Sequence, residues 1–250
     1  MPRNGGSLAG IPIMSAVLSL NDILVRPDVW RGRLAEAAVP AQSSGFPVLD
    51  AELPGGGWPR GALTEILVDA VGLGECSLLM PALNAMREAG RWSVLIAPPY
   101  ALHAPAWAAG GVDFAHLAVV SPSCRRDGLW AAEQALSGGA VGAVLCWAER
   151  VEPAQIRRLQ VAASGSATLA FLFRSARART EASAAPLRLL LSAGSHGRLA
   201  VNLLKRRGQP CGRTLYLDVP RPLRWNDDHA VARAASAASS PRSQRPFAVA

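Results

Sequence analysis

From Gly45 onward, short apolar runs alternate with stretches of helical period, and the alternation is regular enough to predict elements one by one. GFPVLDAEL (45–53) reads as a short helix, because Phe46, Leu49 and Leu53 share a face, and PGGGWPRG (54–61) reads as a turn. LTEIL (63–67) is a strand, and Ser77 to Ala89 is a helix stopped by Gly90. WSVLIAPP (92–99) has almost no polar residue, as expected of a parallel strand covered on both faces. Residues 103–109 are helical, LAVVSP (117–122) is a strand, and Gly128 to Ser137 is a helix. VGAVLCWA (141–148) is a second buried strand, Pro153 to Ala163 a helix opened by its proline, and ATLAFLFRS (167–175) a further strand. Strand and helix succeed each other through short loops, which defines an α/β core with a mainly parallel sheet flanked by helices.

After Arg174 the rhythm changes. LRLLLSAG (187–194), RLAVNLLKRRG (198–208) and TLYLDVP (214–220) follow one another without helices, as an antiparallel extension of the sheet would. Three regions result: an arm over residues 1–44, a core over 45–225 and a tail over 226–250. The arm predicts a short helix starting near Pro27 or Asp28, with Trp30 and Leu34 on one face, and reads as an interaction element. The tail is Ala, Ser, Arg and Pro with little apolar content, a composition expected to stay disordered.

Composition narrows the picture in three ways. Half of the 250 residues are apolar, ample for a core, while the longest uncharged apolar run is too short to span a bilayer. Pro12 interrupts the apolar patch at Leu8–Leu20, and Asn21-Asp22 stand where a signal peptide needs small residues, so a cytoplasmic protein is expected. Four dispersed cysteines and four dispersed histidines, with no CxxC, HExxH or GxSxG, argue against a metal centre, a disulfide framework and a hydrolase elbow. Net charge is +8 and Lys205 is the sole lysine, so a basic, arginine-built surface is available to polyanions.

The place to look for chemistry is VDAVGLGECSLL (68–79), where a strand passes through a glycine-bearing loop into a helix. A phosphate loop GxxxxGK[ST] cradles phosphates with backbone N–H groups, reaches them with lysine and holds magnesium with a hydroxyl. Aligned on Gly74, this chain has Asp69 at the first glycine, Glu75 at the lysine and Cys76 at the hydroxyl. Like charges about 4 Å apart repel by roughly 4 kcal/mol at an effective dielectric of 20, so two carboxylates oppose a triphosphate. The strand that should end in a magnesium-binding aspartate carries Trp147, with Glu149 two residues on, and the segment that should carry a catalytic acid is APPY (97–100), with Pro99. The expectation is a degenerate loop, no cofactor and no enzymatic activity.

The order of these pieces resembles a RecA-like recombinase core. SGFPVLDAELPGGGWPRGALTEIL resembles the segment leading into that family's phosphate loop, and with the upstream RPDVWRGR it is similar to the ImuA family, degenerate RecA relatives also described as SulA-like. The dense match covers residues 43–67. The resemblance implies an accessory role in damage-induced translesion DNA synthesis, with an inactive Y-family polymerase homologue (ImuB) and an error-prone replicative-type polymerase (DnaE2) as partners, together with RecA and single-stranded DNA. It also implies DNA-binding candidates. Arg174, Arg177 and Arg179 lie where RecA has a flexible DNA-binding loop, and Lys205, Arg206 and Arg207 resemble a basic pair that reaches a neighbour's nucleotide. RecA's other DNA loop has no counterpart in the single helix of residues 149–166.

Trp30, Trp58 and Trp225 stand beside proline, glycine or arginine in turn-like contexts and are candidate partner-binding anchors. Two other functions compete with the adaptor: a weak nucleotide-binding recombination mediator or ATPase, and a SulA-like inhibitor of cell division.

Overall fold

The computed structural model describes residues 40–206 and 212–220, all within one compact unit. Most of the arm, the tail, Trp30, Arg207 and Trp225 lie outside the described residues. The elements in chain order are β1 (Ala41–Gln42), α1 (Pro47–Asp50), β2 (Trp58–Pro59), β3 (Leu63–Val68), α2 (Glu75–Glu88), β4 (Ser93–Ile96), α3 (Ala104–Ala109), β5 (Leu117–Val120) and α4 (Arg125–Ser137). They continue with β6 (Ala143–Trp147), α5 (Pro153–Ser164), β7 (Leu169–Ser175), a 3-10 turn (Ala176–Thr180), β8 (Leu187–Ala193), β9 (Leu199–Lys205) and β10 (Thr214–Leu217).

β1 and β2 pair as a small antiparallel ribbon, with Gln42 opposite Trp58, so residues 41–42 of the expected arm are tied to the core. The main sheet has eight strands in the order β10-β9-β8-β3-β7-β6-β4-β5. Six neighbours from β8 to β5 are parallel, and β9 and β10 extend the sheet antiparallel beyond β8. This is the RecA-like arrangement expected from the sequence: a mainly parallel sheet flanked by helices, with an antiparallel C-terminal extension.

The pleat explains why the central strands read as unbroken apolar runs. In β6, Ala143 and Leu145 join one core cluster while Val144 and Cys146 join the other. In β7, Leu169, Phe171 and Phe173 face the first cluster and Ala170 and Leu172 the second. The first cluster packs α1, α2 and α3 against the sheet through Leu49, Leu78, Leu79, Leu83, Met86 and Trp107. The second packs α4 and α5 through Leu129, Leu136, Ile156 and Leu159. Each side chain of this kind contributes about 1.5–3 kcal/mol on burial. Among the described residues, no helix is long and apolar enough to cross a membrane.

β3 sits between β7 and β8, parallel to both, and the chain leaves it sideways to β4 while β8 occupies its other flank. That makes the carboxyl end of β3 a topological switch point, the place where open α/β sheets bind ligands. The connections after β3, β4, β5, β6 and β7 all emerge on this edge.

Candidate functional site

The loop after β3 keeps the shape of an anion cradle. Gly72 and Gly74 are in the left-handed region, with φ of 85° and 98°, and Gly74 is the N-cap of α2. Two of its amides are already occupied. The backbone N–H of Gly72 donates to Glu75 Oε1 at 3.1 Å, and that of Gly74 donates to Glu75 Oε2 at 3.1 Å. The residue standing where a lysine would be thus folds its carboxylate back onto its own loop and is 6 % exposed. A carboxylate at a helix N-terminus is favoured by the helix dipole and by N–H donation. Behind it, burial, reinforced by the charge of Glu75, pushes the Cys76 thiol up to about 12, so it stays neutral.

Two further contacts define the surroundings of the loop. A Cβ at Gly74 would lie 2.8 Å from Cγ2 of Val219, so the segment after β10 packs directly onto the cradle. At the end of β6, Trp147 stacks on Phe173 with centroids 4.7 Å apart and an interplanar angle of 8°. An apolar stack therefore occupies the strand end where a magnesium-binding aspartate was sought. Glu149 is exposed beyond it, and Pro99 lies in an exposed bend after β4.

On the opposite face of β3, Glu65 is fully buried and holds two arginines. Arg174 Nη1 of β7 lies 2.8 Å from its Oε1, and Arg188 Nε of β8 lies 2.5 Å from its Oε2. Arg174 Nη2 also pairs with Glu181 at 2.6 Å, and Arg188 donates to the carbonyls of Ala178 and Glu181. Two carboxylates thus balance two guanidiniums. Burial alone would lower the Arg174 pKa, but the hydrogen bonds and charges of Glu65 and Glu181 more than offset it and hold it above its ordinary value.

This cluster corrects one expectation. Arg174 is not a surface contact for DNA, because its side chain is 1 % exposed and committed to Glu65 and Glu181. Nor is the stretch after β7 without structure, since residues 176–180 form a 3-10 turn whose start is capped by Ser175 accepting from the Arg177 N–H. Arg177 and Arg179 remain exposed on that turn, and with Asp69, Ser175, Ala176, Leu190 and Ser192 they line a cavity of about 570 Å³ beside the loop after β3.

The basic group on β9 divides likewise. Lys205 is exposed and donates to the carbonyl of Ser183 at 2.9 Å. Arg206 is instead engaged with Glu52, its Nη1 2.8 Å from Oε2, and Arg213 joins the same carboxylate at 2.5 Å. Trp58 is corrected as well: it is fully buried, edge-on to Phe171 at 5.4 Å, and serves the core rather than a partner. Its turn-like sequence context hid the pairing of β2 with β1. The exposed tryptophans among the described residues are Trp92 and Trp130, the latter 60 % exposed on α4. The sequence reading passed over Trp130, although helical period carries the signal, since Leu129 and Ala132 are buried in the core and Trp130 is not.

Among the described residues, no group of three or more acidic, histidine or cysteine side chains is placed to hold a metal. The chain matches no protein-family model. It is 32% identical over 128 residues to Protein RecA of Lactococcus lactis subsp. cremoris (strain MG1363) and to Protein RecA, chromosomal, of Lactococcus lactis subsp. lactis (strain IL1403). In each case the match covers 49% of this chain and 33% of the relative, so the chain spans about a third of the curated relatives it matches. Fold and sequence together define a distant RecA-like relationship.

Proposed function

We propose that this protein is a non-catalytic accessory factor of damage-induced translesion DNA synthesis, a RecA-like scaffold that recognises partners without turning over ATP. The observation that supports this most is the Glu75 carboxylate on the loop amides that would otherwise face a phosphate. A triphosphate entering there would have to displace that carboxylate and meet Asp69 nearby, without a lysine to offset the repulsion. The Trp147–Phe173 stack supports the same reading at the neighbouring strand end. The resemblance of residues 43–67 to the ImuA family supplies the partners: an inactive Y-family polymerase homologue, an error-prone replicative-type polymerase and RecA. Single-stranded DNA is the further ligand, supported by the exposed Arg177 and Arg179 beside the β3 edge.

Two experiments test this. Titrating the full chain with Mg-ATP in a thermal-shift assay should leave its melting temperature unchanged. A bound ligand at a hundredfold excess over Kd would add about 2.7 kcal/mol, which is easily seen. Stabilisation of that kind favours the weak ATPase or recombination mediator. Capture with the purified Y-family homologue should retain this chain, and absence of capture together with division arrest on overexpression favours the SulA-like reading.

A further inference from the structure

A second cavity, of about 640 Å³, is lined by Arg174 and Glu181, the two ends of the segment 174–181, whose middle lines the first cavity. Cys124, Arg126, Arg150, Val151, Glu152 and Gln155 complete its lining. Of its two carboxylates, Glu181 pairs with Arg174, while Glu152 caps α5 through its backbone, its carbonyl accepting from the Gln155 N–H and its own N–H donating to Gln155 Oε1, each at 2.9 Å. Arg126 and Arg150 are exposed, and their side chains make no hydrogen bond or ion pair among the described residues. Arg174 Nε is buried without a hydrogen-bond partner in the same lining. At the mouth, Cys124 caps α4 without a side-chain hydrogen bond to its first turn. Three arginines against two carboxylates line this cavity, so its charge balance is positive.

One eight-residue segment contributes lining to both cavities, and each has two exposed arginines that make no ion pair: Arg177 and Arg179 in one, Arg126 and Arg150 in the other. A single small anion would satisfy only one of them. We propose that the pair forms one track for the phosphodiester backbone of a single strand, which crosses the turn at Ala176–Thr180 and is held by Arg126 and Arg150 beyond it. The inference rests on the nucleic-acid part of the proposed function and adds to it a second contact surface, on α4 and on the loop after β6. Arginine suits the task, as its fork of donors fits phosphate oxygens and its charge persists at any working pH.

The test uses the full-length protein and a fluorescent oligothymidylate of about 20 nucleotides, with binding followed by anisotropy across a salt series. Arg126→Ala with Arg150→Ala should weaken binding at least tenfold and flatten the slope of log K against log salt by about 1.4, the release expected for two single-strand phosphates. Arg126→Lys with Arg150→Lys should restore most of that slope. Bound oligothymidylate should also slow maleimide labelling of Cys124, a footprint that holds whatever the variants do to folding. If the double alanine variant keeps affinity and slope while Arg177→Ala with Arg179→Ala loses them, the track is overturned and the DNA reading stands. If the wild-type protein ignores oligothymidylate, both fall. Displacement by polyglutamate at equal charge concentration would assign the cavities to an acidic protein partner and overturn the nucleic-acid track.

Discussion

Two carboxylates ten residues apart meet burial in opposite ways. Glu75 stands at the start of α2 and is satisfied by backbone amides of its own loop, whereas Glu65 lies mid-strand and is satisfied by guanidiniums from the two neighbouring strands. The first arrangement is local and sets a carboxylate on two amides of the loop after β3. The second ties β7, β3 and β8 together beneath the turn that carries Arg177 and Arg179. One carboxylate serves its own loop, and the other fixes the strands beneath the turn that carries Arg177 and Arg179.

The comparison breaks most sharply at Glu65. Glu65→Ala strands two buried guanidiniums and should cost about 3–5 kcal/mol, read as a drop of about 6–20 °C in melting temperature. Replacing the whole cluster with Glu65→Met, Arg174→Met and Arg188→Met should recover most of that loss, because no charge is left unpaired. Failure to recover would mean that geometry, rather than charge balance, makes the cluster necessary.

Glu75→Ala should cost less, about 1–3 kcal/mol, since it leaves two partly buried N–H groups without an acceptor. Glu75→Gln, which keeps an acceptor oxygen, should cost about 1 kcal/mol by chemical denaturation. An effect as large as that of Glu65→Ala would erase the distinction between the two carboxylates.

The smallest effect expected is at the thiols. In a Cys211→Ser background, mass spectrometry should find Cys124 alkylated rapidly in the native protein. Cys76 and Cys146, both pushed up to about 12 chiefly by burial, should label only after unfolding. Rapid native labelling of Cys76 would mean that the loop around Glu75 opens freely.

Much of this was legible beforehand, and particular residues show where legibility stopped. Unbroken apolar runs such as VGAVLCWA announced a doubly covered parallel sheet, and the loss of helices after Arg174 announced β9 and β10. The missing lysine marked the loop after β3 as chemically odd. Glu65, Arg174 and Arg188 each stand as a lone charge in an apolar strand, a signal of buried pairing that the sequence carries in plain view. Assigning Arg174 to the surface ignored that signal in favour of its polar neighbours. Trp58 misled for the related reason that a two-residue strand is too short to display a period.

The sequence by itself determined the order of elements, the class of sheet and the residue types of the loop after β3, with Glu75 where a phosphate loop has lysine, because these follow from periodicity and residue type along a local stretch. Only the tertiary structure decided that Glu75 turns inward, that Val219 lies over the loop, and which arginines are committed to carboxylates. Those outcomes depend on partners far away in the chain, 109 residues apart for Arg174 and Glu65. A charge takes its role from what it is buried against, and strand order alone brings those partners together.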